Sequence, residues 1–107
     1  MPDAAPGARF AIVFEYRVPP DRVTEFEQTY GSDGAWAAFF SRDPAYRGTE
    51  LWAFADQPGR YLVVDRWDSA EAYHAFLERH REEYERRSAE TASLYSSERV
   101  VGETVSR

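Results

Sequence analysis

The sequence contains no cysteine, no lysine and no asparagine. Without cysteine there can be no disulfide, no thiolate nucleophile and no thiolate-held metal. The missing lysine and asparagine, beside abundant alanine and arginine, fit codon bias in a GC-rich genome, so the arginine count carries no chemistry by itself. Long apolar runs are absent as well. Nothing approaches the roughly 18 residues that cross a bilayer, and Met1 to Arg9 lack the apolar stretch of a signal peptide, so the expected location is cytoplasmic. Positive charge is scarce: 13 Arg against 19 carboxylates leave a formal charge of -6. Such a field repels nucleic acid and anionic lipid. The two histidines have no partners clustered at ligand spacing, which argues against a metal site. No repeat, low-complexity tract or linker interrupts the chain, so residues 1–107 are expected to form one domain, with its core at about 10–102 and a flexible segment at 1–9.

Aromatic side chains are plentiful, at 16% of the residues (three Trp, seven Tyr, seven Phe). That exceeds what a small core needs and points to a ring-lined cavity or interface. From Phe10 to Val18 the residues Phe10, Ile12, Phe14, Tyr16 and Val18 share one face, with Ala11, Val13, Glu15 and Arg17 on the other, the period of a strand. Pro19-Pro20-Asp21 ends that strand and opens a helix carrying Val23, Phe26 and Tyr30, stopped by Gly31-Ser32-Asp33-Gly34. Ala35 to Phe40, holding Trp36, Phe39 and Phe40, is predicted as a helical turn over the core or a pocket mouth. Tyr46–Ala55 and Arg60–Trp67 flank the turn Gln57-Pro58-Gly59 and read as an antiparallel hairpin. Asp68 with Glu71 fits a capping box for one long helix from about Ser69 to Arg87. Its stripe Tyr73, Phe76, Leu77, His80 and Tyr84 is expected to face inward, and His74, Glu78, Arg81 and Glu85 to face water. A last strand over Leu94 to Val105 completes the order βαββαβ. This is the ferredoxin-like α+β arrangement, a four-stranded antiparallel sheet with helices on one face.

Gly34-Ala35-Trp36, Tyr46-Arg47-Gly48-Thr49-Glu50-Leu51 and the run from Tyr61 through Trp67-Asp68-Ser69-Ala70-Glu71-Ala72-Tyr73 resemble the antibiotic biosynthesis monooxygenase family of dimeric α+β barrels. The resemblance spans roughly residues 10 to 102, and its most specific part is a strand-ending Trp followed by a polar cap and a helix with an early aromatic. It implies a homodimer packed sheet to sheet, with one pocket between helices and sheet in each subunit. It also implies oxidation of a planar phenol or anthrone by dioxygen with no metal, flavin or haem. In that reading Trp67 orients the substrate, Tyr73 donates a hydrogen bond, and Arg86 or Arg87, with spacing favouring Arg87, stabilises the anion. Relatives often hold the substrate oxygen with a pocket asparagine; here Tyr16 and Val63 stand near those places. The haem-degrading branch places an axial His on the second helix with a nearby Asn and Trp. Tyr16 and Phe76 occupy the latter two places and His80 does not match the first.

Catalytic candidates are therefore Trp67, His80, Arg87 and Tyr73, and the expected substrate-binding wall is Phe14, Tyr16, Trp36, Phe40, Trp52, Val63, Phe76 and Tyr84. Each has a plainer reading. His80 is either a general base near neutrality or hydrogen-bonded filler, and Trp67 is either a ligand platform or the seal between helix and sheet. Glu15, Glu50 and Asp65 are expected to pair with Arg17, Arg47 or Arg66 across the sheet. A non-catalytic binding or accessory dimer and a cyclase or isomerase using the same pocket remain the alternatives. The expected partners are a small aromatic molecule, dioxygen and a second copy of the chain.

Overall fold

Alternation along the first strand, β1 (Phe10–Arg17), buries Phe10, Ile12 and Tyr16 and turns Glu15 to the opposite side. The computed structural model describes residues 9–107, so the segment expected to be flexible falls, Arg9 apart, outside the described residues. A 3-10 turn at Pro20–Arg22 leads into α1 (Val23–Tyr30), whose Phe26 and Tyr30 reach the core. The short α2 (Ala35–Phe40) buries Trp36, Ala37, Phe39 and Phe40. Next come β2 (Tyr46–Ala53) and β3 (Arg60–Trp67), then α3 (Ala70–Arg79), α4 (Arg81–Thr91) and β4 (Ser97–Val105).

The four strands form one antiparallel sheet in the order β2-β3-β1-β4. This is the split-βαβ, ferredoxin-like fold. Phe10, Ile12, Tyr16, Tyr61, Val63 and Trp67 meet Phe26, Phe39, Phe40, Tyr73 and Phe76 in one aromatic core on the helix side. Burial of each such ring stabilises the fold by roughly 1.5–3 kcal/mol. The hairpin closes at Gly59, where φ is +87° and an added Cβ would stand 2.6 Å from the Val18 carbonyl oxygen, so only glycine fits.

Four sequence expectations need correction. The strand predicted to reach Ala55 ends at Ala53, because beyond the Phe54 N–H bond to the Arg60 carbonyl the chain folds into its turn. Ser69, not Asp68, caps α3: its hydroxyl accepts from the Ala72 N–H at 3.1 Å, while Asp68 is taken by the Arg47 guanidinium. The single long helix is two, broken at His80, whose φ of −114° and ψ of 31° leave the helical region. Finally, Leu94 belongs to a 3-10 turn over Ala92–Leu94 that plugs the core, and the last strand starts only at Ser97.

Candidate active site

Between the helix side of the sheet and α1, α2 and α4 lies a cavity of about 460 Å³ of atom-free space, counting the solvent at its open mouth. Its enclosed part admits only a few water-sized molecules, so a ring system enters by displacing side chains at the mouth. The buried floor and walls are Tyr16, Tyr30, Trp36, Phe40, Thr49, Val63 and Asp65. Around the mouth, half-buried or exposed, stand Phe14, Tyr84, Ser88, Thr91, Tyr95 and Glu98. Seven of these thirteen residues are aromatic, which makes the walls suited to stacking against a flat guest.

Asp65 is the chemically distinctive member. It shares the inward face of β3 with Tyr61, Val63 and Trp67, and only 5% of it is exposed. Among the described residues no salt bridge reaches it: its Oδ1 accepts from the Thr49 hydroxyl at 2.6 Å, and Thr49 in turn meets the Tyr46 hydroxyl. Burial without a counter-ion pushes its carboxyl up to about 6, against the smaller opposing effect of the Thr49 hydrogen bond. A carboxylate poised there accepts a proton readily near neutral pH. Of the expected pairings between strand carboxylates and arginines, Arg66 meets Glu50, whereas Glu15 is held by Arg60 and Arg99 at 2.6 Å each, all on the opposite face of the sheet.

Hydroxyl groups ring the other end. Tyr16 donates to Glu98 at 2.6 Å, Tyr30 donates to Thr91 at 3.1 Å, and Tyr95 points at Glu98 from 3.4 Å. Burial pushes the Tyr16, Tyr30 and Tyr84 hydroxyls upward, so they act as hydrogen-bond donors and not as bases. Among the described residues the buried Trp36 indole N–H meets no acceptor at full hydrogen-bond geometry, though the Tyr30 hydroxyl stands near enough to feel it, and an acceptor on a guest would complete it.

Of the residues expected from sequence, Phe14, Tyr16, Trp36, Phe40, Val63 and Tyr84 come together on this wall. Six others do not. Trp67 is wholly buried beneath it, packed edge-on to Phe40, Tyr46 and Tyr73. Phe76 is equally buried, against Trp67 and Phe39, and Tyr73 packs on Phe10 and Trp67. His80 sits at the helix break with its ring 4.5 Å from Phe76. Arg87 is held elsewhere: its guanidinium pairs with Glu83 at 2.8 Å and covers the Phe39 ring at 4.9 Å, while Arg86 lies exposed nearby. Trp52 is 59% exposed on the far face of the sheet, its indole on Glu50. Sequence reasoning passed over Tyr30, Thr49, Asp65, Ser88, Thr91, Tyr95 and Glu98. The strict alternation of β3 was the available signal for Asp65.

The family model described as antibiotic biosynthesis monooxygenase matches residues 9–86. The chain belongs to that family. Among solved structures, an asparagine-to-alanine mutant of SnoaB, a cofactor-independent oxygenase from Streptomyces nogalater, superimposes on this family member with a TM-score of 0.69, at 18% identity over 94% of both chains. A second SnoaB structure gives 0.65 at 19% identity over the same shares. A putative monooxygenase from Fusobacterium nucleatum subsp. nucleatum gives 0.54 at 10% identity, covering 96% of this chain and 48% of that one. At these identities the likeness establishes the ferredoxin-like fold. No curated protein matches the sequence. Among the described residues of this monooxygenase-family chain, no helix is long and apolar enough to cross a membrane, and no group of three potential ligands could hold a metal ion.

Proposed function

We propose that this protein is a cofactor-independent oxygenase acting on a small, planar, electron-rich aromatic of the phenol or anthrone type. The observation that carries the reading is Asp65, a buried carboxylate without a counter-ion on the wall of an aromatic cavity. Family membership and the likeness to a cofactor-independent oxygenase support the reaction class.

The chemistry follows from the wall. An anthrone loses a proton from its methylene carbon because the resulting anion spreads over the rings, and Asp65 takes that proton. The hydroxyls of Tyr84 and Ser88 and the Trp36 N–H are the donors available to the anion's oxygen, the Thr91 hydroxyl being already donated to the Arg87 carbonyl at 2.9 Å. The electron-rich anion reduces dioxygen and combines with it at the same carbon. The peroxide so formed takes up a proton and loses water to leave a carbonyl: one CH₂ and one O₂ become one C=O and one H₂O. Dry aromatic walls keep bulk water from quenching the anion.

The second proposed element is a homodimer. The sheet face away from the helices exposes Trp52 beside a shallow hollow lined by Ala53, Phe54, Leu62 and Val64, an apolar surface that a second sheet would cover.

An oxygen electrode with metal-stripped protein and anthrone tests the reading. The expected result is one O₂ consumed per quinone formed, above the spontaneous rate, with kcat falling at least about 100-fold in Asp65→Asn. Absence of uptake by the unsubstituted protein overturns it. Rearranged product without uptake would indicate an isomerising enzyme on the same base, and tight binding without turnover an accessory protein.

A further inference from the structure

The charge pattern of the cavity is one-sided. None of its thirteen lining residues is basic, yet two are carboxylates, Asp65 in the floor and Glu98 at the mouth. The nearby guanidinia are engaged elsewhere: Arg42 and Arg87 on Glu83 and the Phe39 ring, Arg60 and Arg99 on Glu15. Among the described residues no salt bridge reaches Glu98, which is steadied only by the hydroxyls of Tyr16 and Tyr95. An anion entering this space would meet two negative charges and no positive one, whereas a cation would meet a carboxylate set among aromatic rings, the surroundings in which organic ammonium ions bind well. The formal charge of -6 acts in the same direction at long range.

The two carboxylates also stand apart in a definite way. Asp65 lies opposite Ile12 and Glu98 opposite Tyr16 in the sheet register, which separates them by roughly 13 Å along the strands. They flank β1 from opposite sides, one deep and one at the opening, a spacing that an elongated ring system with a short side arm can span. The Trp36 N–H offers a further hydrogen bond to an acceptor on the guest.

We infer that the natural guest of this cavity is an aromatic that carries a protonated amine at the end remote from its reacting carbon, with the ammonium held by Glu98 beside Tyr16 and Tyr95. The orientation of the reacting end toward Asp65 rests on the oxygenase reading; the preference for positive charge does not.

Fluorescence titration of the full chain with three matched probes tests this: 2-(aminomethyl)anthracene, 2-(hydroxymethyl)anthracene and anthracene-2-carboxylate. The ammonium is expected to bind at least about tenfold more tightly than the alcohol, and the carboxylate most weakly. Glu98→Gln should bring the ammonium-to-alcohol ratio within about twofold, whereas Glu103→Gln, a carboxylate of the same strand outside the cavity, should preserve it. An alcohol that binds as tightly as the ammonium in the unsubstituted protein overturns the inference, and so does an ammonium advantage that survives Glu98→Gln. Oxygen plays no part in the titration. Lost charge preference with intact turnover therefore removes this inference alone, and intact preference without turnover removes the oxygenase reading alone.

Discussion

Asp65 sits in a protein interior that makes its ionisation costly, and this gives it a stability signature as well as a chemical one. Its carboxyl is raised from 3.8 to about 6, so between those values the folded state holds a proton that the unfolded chain has released. Stability then falls as pH rises from about 4 through 6, by up to about 3 kcal/mol for this group. Asp65→Asn is expected to remove that dependence, raising Tm at pH 8 relative to the unsubstituted protein while differing little at pH 4; thermal unfolding at both values checks it. Trp67 gives the opposite pattern. Fully enclosed by Phe40, Tyr46, Tyr73 and Phe76, it should cost about 3–5 kcal/mol of stability when changed to Ala, and Trp67→Phe should retain kcat in the oxygen-uptake assay. The contrast shows how the sequence could be read and where it misled. The period of two in Tyr61-Val63-Asp65-Trp67 already placed the carboxylate on the core side. Grouping it with Glu15 and Glu50 as a carboxylate paired to strand arginines overlooked that face.

At the scale of elements, the inward stripe begun at Tyr73 runs on through the break at His80 to Tyr84, Ser88 and Thr91. A stripe extrapolated at 3.6 residues per turn from Tyr73 predicts Arg87 as an inward group, but its long side chain reaches back one turn to Glu83. Beyond the break α4 delivers Tyr84, Ser88 and Thr91 to the cavity and sends Arg87 to Glu83. Glu83 is gripped by Arg42 at 2.7 and 2.9 Å and by Arg87, which hold its carboxyl at about 2. This clamp ties the end of α2 to α4 with both guanidinia over Phe39. Arg87→Ala is accordingly expected to lower Tm while leaving the pH dependence of turnover unchanged; a loss of kcat with Tm intact would return Arg87 to the chemistry. The strands and the first helix were legible because proline, glycine and alternation punctuate them sharply. The helix break was not, since no proline or glycine marks it; the His80 ring there packs on Phe76 one turn back and on Phe39 of α2.

The whole molecule keeps its two faces for different purposes. The helix side encloses the cavity, and the open side carries Trp52, Leu62 and Val64 beside the Glu15 network with Arg60 and Arg99. Trp52 looked like a pocket residue because it is aromatic and lies in a strand. Its register partner Leu62 belongs to the outward set of β3, and the pair lies on the face proposed above for a second copy. Leu62→Glu is expected to convert a sedimenting dimer into a monomer; a protein already monomeric at micromolar concentration would remove the proposed sheet-to-sheet assembly.

The most direct measurement of the central claim, that Asp65 in the aromatic cavity is the proton acceptor facing the guest, is a carbon NMR titration of aspartate carboxyl groups, with Asp65→Asn to assign the signal. The account predicts a midpoint near pH 6 that moves when a planar aromatic is added. A midpoint near 4, indifferent to the aromatic, would contradict it.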